Sequence, residues 1–581
     1  MKYFFYTLFL LLFNVTFSQQ NLNGEDLIIA ERLKFIDTKS EFGSVEKITE
    51  ADGSLQMLFK TEKEPKFIYN LSANFPIEKS NYKKGRVFLL SFKAKTVTSS
   101  LETGEAKALF IFKQLNNYEG NIESTQTFSS NWQTYYIPFE ANRYIKKSDL
   151  GIVMQYGFRE QSFLLKDIRF ESFPEGIKFE DLPKTEITYK GMEPDAAWRI
   201  EAKKRIQAIR QGRIALQFTK NNQPIANKTL NIKLVKHAFQ FGAALNAQDV
   251  VEENFRYTKF KSAFNLAVFE NDLKIKSWGS VKGKQRTLDA IAQLKKDSIN
   301  IKGHVLIWPG FRYLIPEIEQ NKNNPEKVKS LITEHVTSVL KETKGKISHW
   351  DVVNEAYTNT DLQKITGSED LLYEGFRIAK AIEPNAKRFT NEYGIISKGG
   401  LDTQKQQWYY DYIKRIDEHT GGLVQGIGIQ SHIGSDLTPP ERVLEILAFY
   451  ATLGKQIGIS EFTMDIQEPK IREQYTRDFL IAAFSHPSVT EFLFWGYVEN
   501  EKKKVDIFKP NGDIGAMGKA YFSLVNDEWK TNLVAETDAN GAVSAIGYFG
   551  TYEYSFIDNG KVITGTFDLK PRQRDAIKIE L

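Results

Sequence analysis

Eight short apolar runs recur between residues 238 and 495 with helical segments between them, and they constrain this chain more than any other feature. They are Ala238–Leu245, Phe264–Phe269, Ile301–Ile307, His349–Val353, Arg388–Tyr393, Gln425–Gln430, Ile457–Ser460 and Thr490–Trp495. Runs of this kind, apolar on successive residues, suit strands covered on both faces, as in a parallel sheet. They lie about 25 to 45 residues apart, enough for a crossover helix between each pair. The pattern predicts an α/β chain with a (β/α)8 TIM barrel over residues 236–528.

At 581 residues the chain exceeds one ordinary core, so two to four domains are expected. Residues 19–174 alternate short aromatic-rich runs with polar turns. Examples are Val87–Phe92, Ala108–Phe112, Trp132–Phe139 and Phe163–Phe170, and they predict an N-terminal antiparallel β-sandwich or jelly roll. Polar residues with Pro174, Pro183 and Pro194 mark 175–193 as a linker. Residues 194–235 read as a helix followed by a β-hairpin, Ile214–Phe218 with Leu230–Val235. A lone hairpin is marginal in water, so its partners are expected in the strand set of residues 529–581, forming a small C-terminal β-subdomain.

Met1-Lys2, the apolar run Tyr3–Phe13 and the segment ending at Thr16-Phe17-Ser18 read as a secretory signal peptide over 1–18, cleaved after Ser18 or Gln19. The apolar run is shorter than the ~20 residues of a membrane span. The mature protein is therefore expected to be exported, to the periplasm or beyond, without membrane insertion. There is no cysteine, which excludes disulfide and thiolate chemistry, and none of the 7 histidines sits in an HExxH pattern. Neither a metal nor another cofactor is expected. A net charge of +5 gives no reason to propose nucleic acid. Gly426, Gly428 and Gly434 lack the GxGxxG spacing of a nucleotide loop.

In a (β/α)8 barrel the chemistry gathers at the C-terminal ends of the strands. Here the fourth run, in His349-Trp350-Asp351-Val352-Val353-Asn354-Glu355, ends on an amide and an acid, and the seventh, Lys455 to Glu461, ends on another acid. Alone, Glu355 could be a solvated acid opening the next helix. As a pair on one rim, the two glutamates are what a glycosidase needs: one to protonate the leaving oxygen, the other to attack or to activate water. Other runs deliver Glu270, Asn271 and Lys274 (second), His304 and Trp308 (third), Asn391, Glu392 and Tyr393 (fifth), Gln430 and His432 (sixth) and Trp495 (eighth). Generous aromatics, 13% of residues, suit sugar stacking and a large core alike.

The stretches FNLAVFEND, GHVLIW, WDVVNEA, NEYGI, GIGIQSH and ISEF resemble, in order, the strand motifs of family 10 glycoside hydrolases, the endo-β-1,4-xylanases. The resemblance spans about 236 to 525. It implies Glu355 as acid/base and Glu461 as nucleophile of a retaining double displacement on xylan or xylo-oligosaccharide. It further implies that Asn354 contacts the sugar 2-hydroxyl and that His432 orients the nucleophile. His304, Trp308, Glu270, Asn271, Lys274, Tyr393, Gln430 and Trp495 would bind substrate. The N-terminal region resembles, in pattern only, sandwich-type carbohydrate-binding modules. Pro309-Gly310-Phe311 replaces a histidine and a sugar-contacting glutamine that usually follow Trp308, and Lys502-Lys503-Lys504 occurs where a further tryptophan is common. Two alternatives stay open: a retaining glycosidase acting on another β-glycan, and a non-catalytic glycan-binding protein on a decayed barrel. The sequence is silent on oligomeric state.

Overall fold

The computed structural model describes residues 22–38, 40–115, 120–500, 505–573 and 575–581. The expected leader and Lys502 to Lys504 lie outside the described residues. Two compact units result. One comprises residues up to 95, 108–125 and 132–185; the other comprises 96–107, 126–131 and 186–581.

The N-terminal strands form two sheets. One orders Gly43–Thr49, Leu55–Thr61, Gln161–Ser172, Val87–Ser99 and Gln133–Glu140; the other orders Ser72–Phe75, Gly151–Gln155, Ala106–Lys113 and Ile122–Phe128. Neighbours such as Gly43–Thr49 with Leu55–Thr61, and Val87–Ser99 with Gln133–Glu140, run antiparallel. Their inward side chains are large aromatics. Phe92 lies 4.9 Å from Phe110, and Phe88 lies 5.0 Å from Phe112, ring to ring across the two sheets. Burying rings on one face of each strand gives this unit its core.

In the second unit eight parallel strands close on themselves. In chain order they are Gln240–Leu245, Leu266–Phe269, Asn300–Ile307, His349–Asn354, Lys387–Glu392, Gly426–Ile429, Gln456–Met464 and Val489–Phe494. Every neighbouring pair is parallel, and the first strand closes the barrel against the eighth. All eight predicted runs are strands of this barrel. Crossover helices are locally specified as well: Pro325–Thr343 starts from Asn324, whose side chain accepts from the Lys327 backbone N–H. That helix buries Val328, Ile332, Val336, Val339 and Leu340, a stripe at helical spacing.

The two chain ends of this unit meet. Gln211–Lys220 pairs antiparallel with Ala542–Tyr548 and parallel with Ile577–Glu580, while Thr229–His237 lies between Asn532–Glu536 and Gly550–Asp558. The expected hairpin of Ile214–Phe218 with Leu230–Val235 is therefore not formed, because the two strands belong to different sheets. Both strands alternate apolar and polar residues, and each satisfies its backbone with a C-terminal strand. Ile214, Leu216 and Phe218 share one buried cluster with Leu230, Ile232 and Leu234.

The barrel interior holds a layer of charge below the rim. Lys302 and His304, two residues apart on the third strand, point to one side. Lys302 Nζ lies 3.2 Å from Asp351 Oδ1 and 2.8 Å from Glu491 Oε1; His349 Nε2 lies 2.6 Å from Glu491 Oε2. Burial opposes the ionised acids here, but Lys302 and the neighbouring histidines outweigh it, so Asp351 and Glu491 are both held below the usual carboxylate range.

Candidate active site

Glu355 occupies the first position beyond the fourth strand, and its backbone is left-handed, φ 55°. A non-glycine residue pays roughly 1–2 kcal/mol for that conformation, so it persists only where neighbours fix it. They do: its N–H donates to Asn391 O at 2.9 Å and its carbonyl accepts from Asn359 N at 3.2 Å. This twist turns a side chain that would continue the strand's alternation into the mouth of the barrel. Glu355 is 3% exposed and Glu461 4%.

Two amides join the pair of acids. Asn391 Nδ2 donates to Asn354 Oδ1 at 2.9 Å and to Glu461 Oε1 at 2.7 Å, and Asn354 Nδ2 donates to Glu355 Oε1 at 3.2 Å. Gln430 Nε2 donates to Glu355 Oε1 at 3.0 Å and to Asn354 Oδ1 at 3.2 Å. Ser460 Oγ donates to Asn391 Oδ1 at 2.6 Å and fixes which way that amide faces. On the other side, His432 Nε2 lies 3.3 Å from Glu461 Oε2 while its Nδ1 lies 2.8 Å from Thr463 Oγ1. Donors from the fourth, fifth and sixth strands thus converge on carboxylates of the fourth and seventh.

The electrostatics of the two sides differ. Burial pushes the Glu355 carboxyl up to about 8, helped by the charges of Glu102, Glu392 and Glu461 and opposed by the Gln430 hydrogen bond. For His432 burial acts against the cation, but the hydrogen bond and charge of Glu461 prevail and raise its proton affinity. A proton kept on Glu355 at neutral pH beside a second carboxylate held by donors is an arrangement suited to general acid chemistry.

The expected sugar-binding residues line the same rim. His304 Nδ1 lies 3.0 Å from Asp351 Oδ2, and its ring stands edge-on to Trp495 at 5.1 Å. Lys274 Nζ lies 4.7 Å above the Trp308 ring and 3.1 Å from Asn271 Oδ1. Glu270 follows the second strand, its N–H donating to Leu245 O at 2.9 Å. Tyr393 OH donates to Thr358 Oγ1 at 3.1 Å, with Lys405 Nζ above its ring at 3.4 Å. Lys405 also pairs with the buried Glu392 at 3.0 Å.

Several residues that shape the site were not singled out from sequence. Asn359 Nδ2 donates to Glu355 Oε2 at 3.3 Å. It can approach because Gly310 has no side chain; a Cβ there would sit 2.4 Å from Asn359 Oδ1. Pro309-Gly310-Phe311 therefore admits an amide to the acid, and the short helix that follows stacks Tyr313 on Trp308 at 3.5 Å. The glycine was the one available signal. Among the described residues, no group of three or more His, Asp or Glu could hold a metal ion. No helix among them is long and apolar enough to cross a membrane.

Residues 231–508 match the model of glycosyl hydrolase family 10. The chain is 28% identical over 378 residues to Anti-sigma-I factor RsgI6 of Acetivibrio thermocellus, covering 63% of this chain and 47% of that protein. It is 26% identical over 374 residues to Endo-1,4-beta-xylanase 3 of Arabidopsis thaliana, covering 63% of this chain and 48% of that one. The chain thus spans about half the length of these curated relatives. The crystal structure of xylanase 10B from Thermotoga petrophila RKU-1 in complex with xylobiose is 21% identical with a TM-score of 0.45, over 50% of this chain and 95% of that one. The matched residues hold the barrel and its rim of paired glutamates, and in this part the chain is similar to glycosyl hydrolase family 10.

Proposed function

We propose that the protein is an exported endo-1,4-β-xylanase that cleaves xylan with retention of anomeric configuration. The observation that carries this reading is the pair of buried rim carboxylates, Glu355 and Glu461, joined through Asn354 and Asn391. In the first step Glu461 attacks the anomeric carbon as the bond to the glycosidic oxygen breaks. Glu355 gives its proton to that oxygen, so the leaving sugar departs neutral. In the second step water attacks the glycosyl-enzyme, Glu355 takes the water's proton, and Glu461 is released as a carboxylate. Asn354, held by Asn391 and Gln430, contacts the sugar 2-hydroxyl, and His432 orients Glu461. Trp495 supplies a stacking floor, His304 and Trp308 shape the subsite of the reacting sugar, Glu270, Asn271 and Lys274 hold the next sugar outward, and Tyr393 and Gln430 line the cleft.

The test is reducing-sugar release from glucuronoxylan, arabinoxylan, mannan and carboxymethylcellulose, with Glu355→Ala and Glu461→Ala alongside. Cleavage of xylan alone, lost in both variants, and a β-anomer as first product by NMR support the proposal. Cleavage of another glycan instead would leave the barrel chemistry and replace the substrate. Binding without any cleavage would favour a decayed barrel.

For the N-terminal sandwich we propose glycan binding, on the strength of one exposed feature. Phe67 and Tyr69, 45% and 55% exposed, stack at 5.0 Å and offer an aromatic platform of the kind that packs on a pyranose ring. Loss of retention on insoluble xylan in Tyr69→Ala, with unchanged rates on soluble xylo-oligosaccharide, is the expected result; unchanged retention would remove the role.

A further inference from the structure

Residues 96–107 connect and include the ends of two sandwich strands, yet they belong to the compact unit of the barrel. A connection between strands needs only polar turn residues at its tip. This one places a fully buried carboxylate, Glu105, against the barrel rim. Its Oε2 accepts from Ser435 N at 2.6 Å and Ser435 Oγ at 2.7 Å, and its Oε1 accepts from Asp436 N at 2.9 Å. Gly434 makes the approach possible, since a Cβ there would lie 2.4 Å from the Glu105 carboxyl carbon. Burying a carboxylate is unfavourable unless such donors meet it, so the segment has one preferred seat.

Two further anchors fix it. Lys107 Nζ pairs with Asp465 Oδ2 at 2.8 Å, and the Lys398 side chain lies across Gly104, where φ is 71°. Ser130 N, from the neighbouring segment 126–131, donates to Asp436 Oδ2 at 3.0 Å. Within the segment, Ser99 Oγ donates to Glu105 O at 2.9 Å and Gly104 N to Leu101 O at 2.8 Å. The three anchoring loops follow the fifth, sixth and seventh barrel strands. Lys398 comes after Tyr393, Ser435 after His432, and Asp465 after Glu461. The segment is therefore fastened to the loops that leave the reacting rim.

We propose that residues 96–107 form a wall of the sugar cleft, with Glu105 and Lys107 as positioning residues. The inference rests on the xylanase reading above. The charge of Glu102, on the same segment, raises the proton affinity of Glu355, Tyr393 and His432 alike, which accords with a segment that lines their cleft.

Hydrogen exchange on the full chain carrying Glu355→Gln, with and without linear xylohexaose, tests the wall. Slower exchange at 99–106 together with residues 355–359 and 430–436 is expected. Protection of the barrel rim without the segment would overturn the inference and leave the xylanase reading standing, whereas protection nowhere would remove both.

Discussion

Two clusters of buried acid sit one above the other in this barrel, and they are treated in opposite ways. In the interior layer Lys302 stands between Asp351 and Glu491, and both acids are held below their ordinary range. On the rim no lysine or arginine among the described residues contacts Glu355; it meets amides and faces other carboxylates, and its pKa rises to about 8. Burial alone does not decide the charge of a carboxyl group. Supplying a cation fixes it ionised and makes it structural, while withholding one leaves a proton available for chemistry.

The largest effect that could break this contrast is on turnover. Glu461→Ala should lower kcat on xylan by about four orders of magnitude or more, while its melting temperature stays near that of the wild type. Lys302→Met should do the reverse in kind. It strands Asp351 and Glu491 without their cation, a change worth about 3–5 kcal/mol of stability, measured by denaturant unfolding. If Lys302→Met were as stable as the wild type, the interior layer would not be the charge-fixed structure described here. If Glu461→Ala kept activity, the rim would have to work through another acid.

A pH titration of stability sharpens the same comparison because the two clusters carry opposite signs. Glu355 has a folded pKa near 8, above its ordinary 4.5. Its contribution is fully present below pH 4.5 and is lost as pH rises toward 8, since the folded state holds the proton longer than the unfolded chain. Asp351 and Glu491 are depressed, so what they contribute is present above ordinary carboxylate pKa values and is lost as pH falls below them. Glu355→Gln should therefore gain on the wild type between pH 4.5 and 8, by up to about 1.4 kcal/mol per pH unit. Its stability should match the wild type's trend below pH 4.5. The wild-type rate should in turn fall on the alkaline side near pH 8. A variant whose advantage did not grow with pH would mean that Glu355 is ionised in the free protein.

How much of this was legible beforehand follows from where each signal lies in the chain. The eight strands were readable because strands buried on both faces carry unbroken apolar runs, and the rim residues because each interrupts such a run at its end. The interior layer left a weaker trace, as Lys302, His304 and Asp351 are polar positions within otherwise apolar strands. The pairing of residues 211–237 was misread locally, since their true partners lie some three hundred residues away and a strand's alternation does not name its neighbour. The left-handed twist at Glu355 has no sequence signature in a non-glycine residue. The docking of residues 96–107 is likewise a through-space fact; Glu105 in the sequence looks like any acid near a turn.

The smallest of the expected effects concerns the loop that departs most from the family pattern. Gly310 is needed for space, since its backbone is extended, φ −99°, and open to any residue. Gly310→Ala puts a methyl group against Asn359 Oδ1 and should push that amide away from Glu355 Oε2. Losing one hydrogen bond to the protonated acid is worth about 0.5–1.5 kcal/mol, and Glu355 retains Gln430 and Asn354. The expected result is a several-fold change in kcat with little change in KM, and an alkaline limb moved upward because one donor to the ionised carboxylate is gone. An alkaline limb unmoved in Gly310→Ala would show that Asn359 packs beside the acid without setting its proton affinity. The contrast between rim and interior would then rest on burial and neighbouring charge, with the departing loop serving only to seat Tyr313 on Trp308.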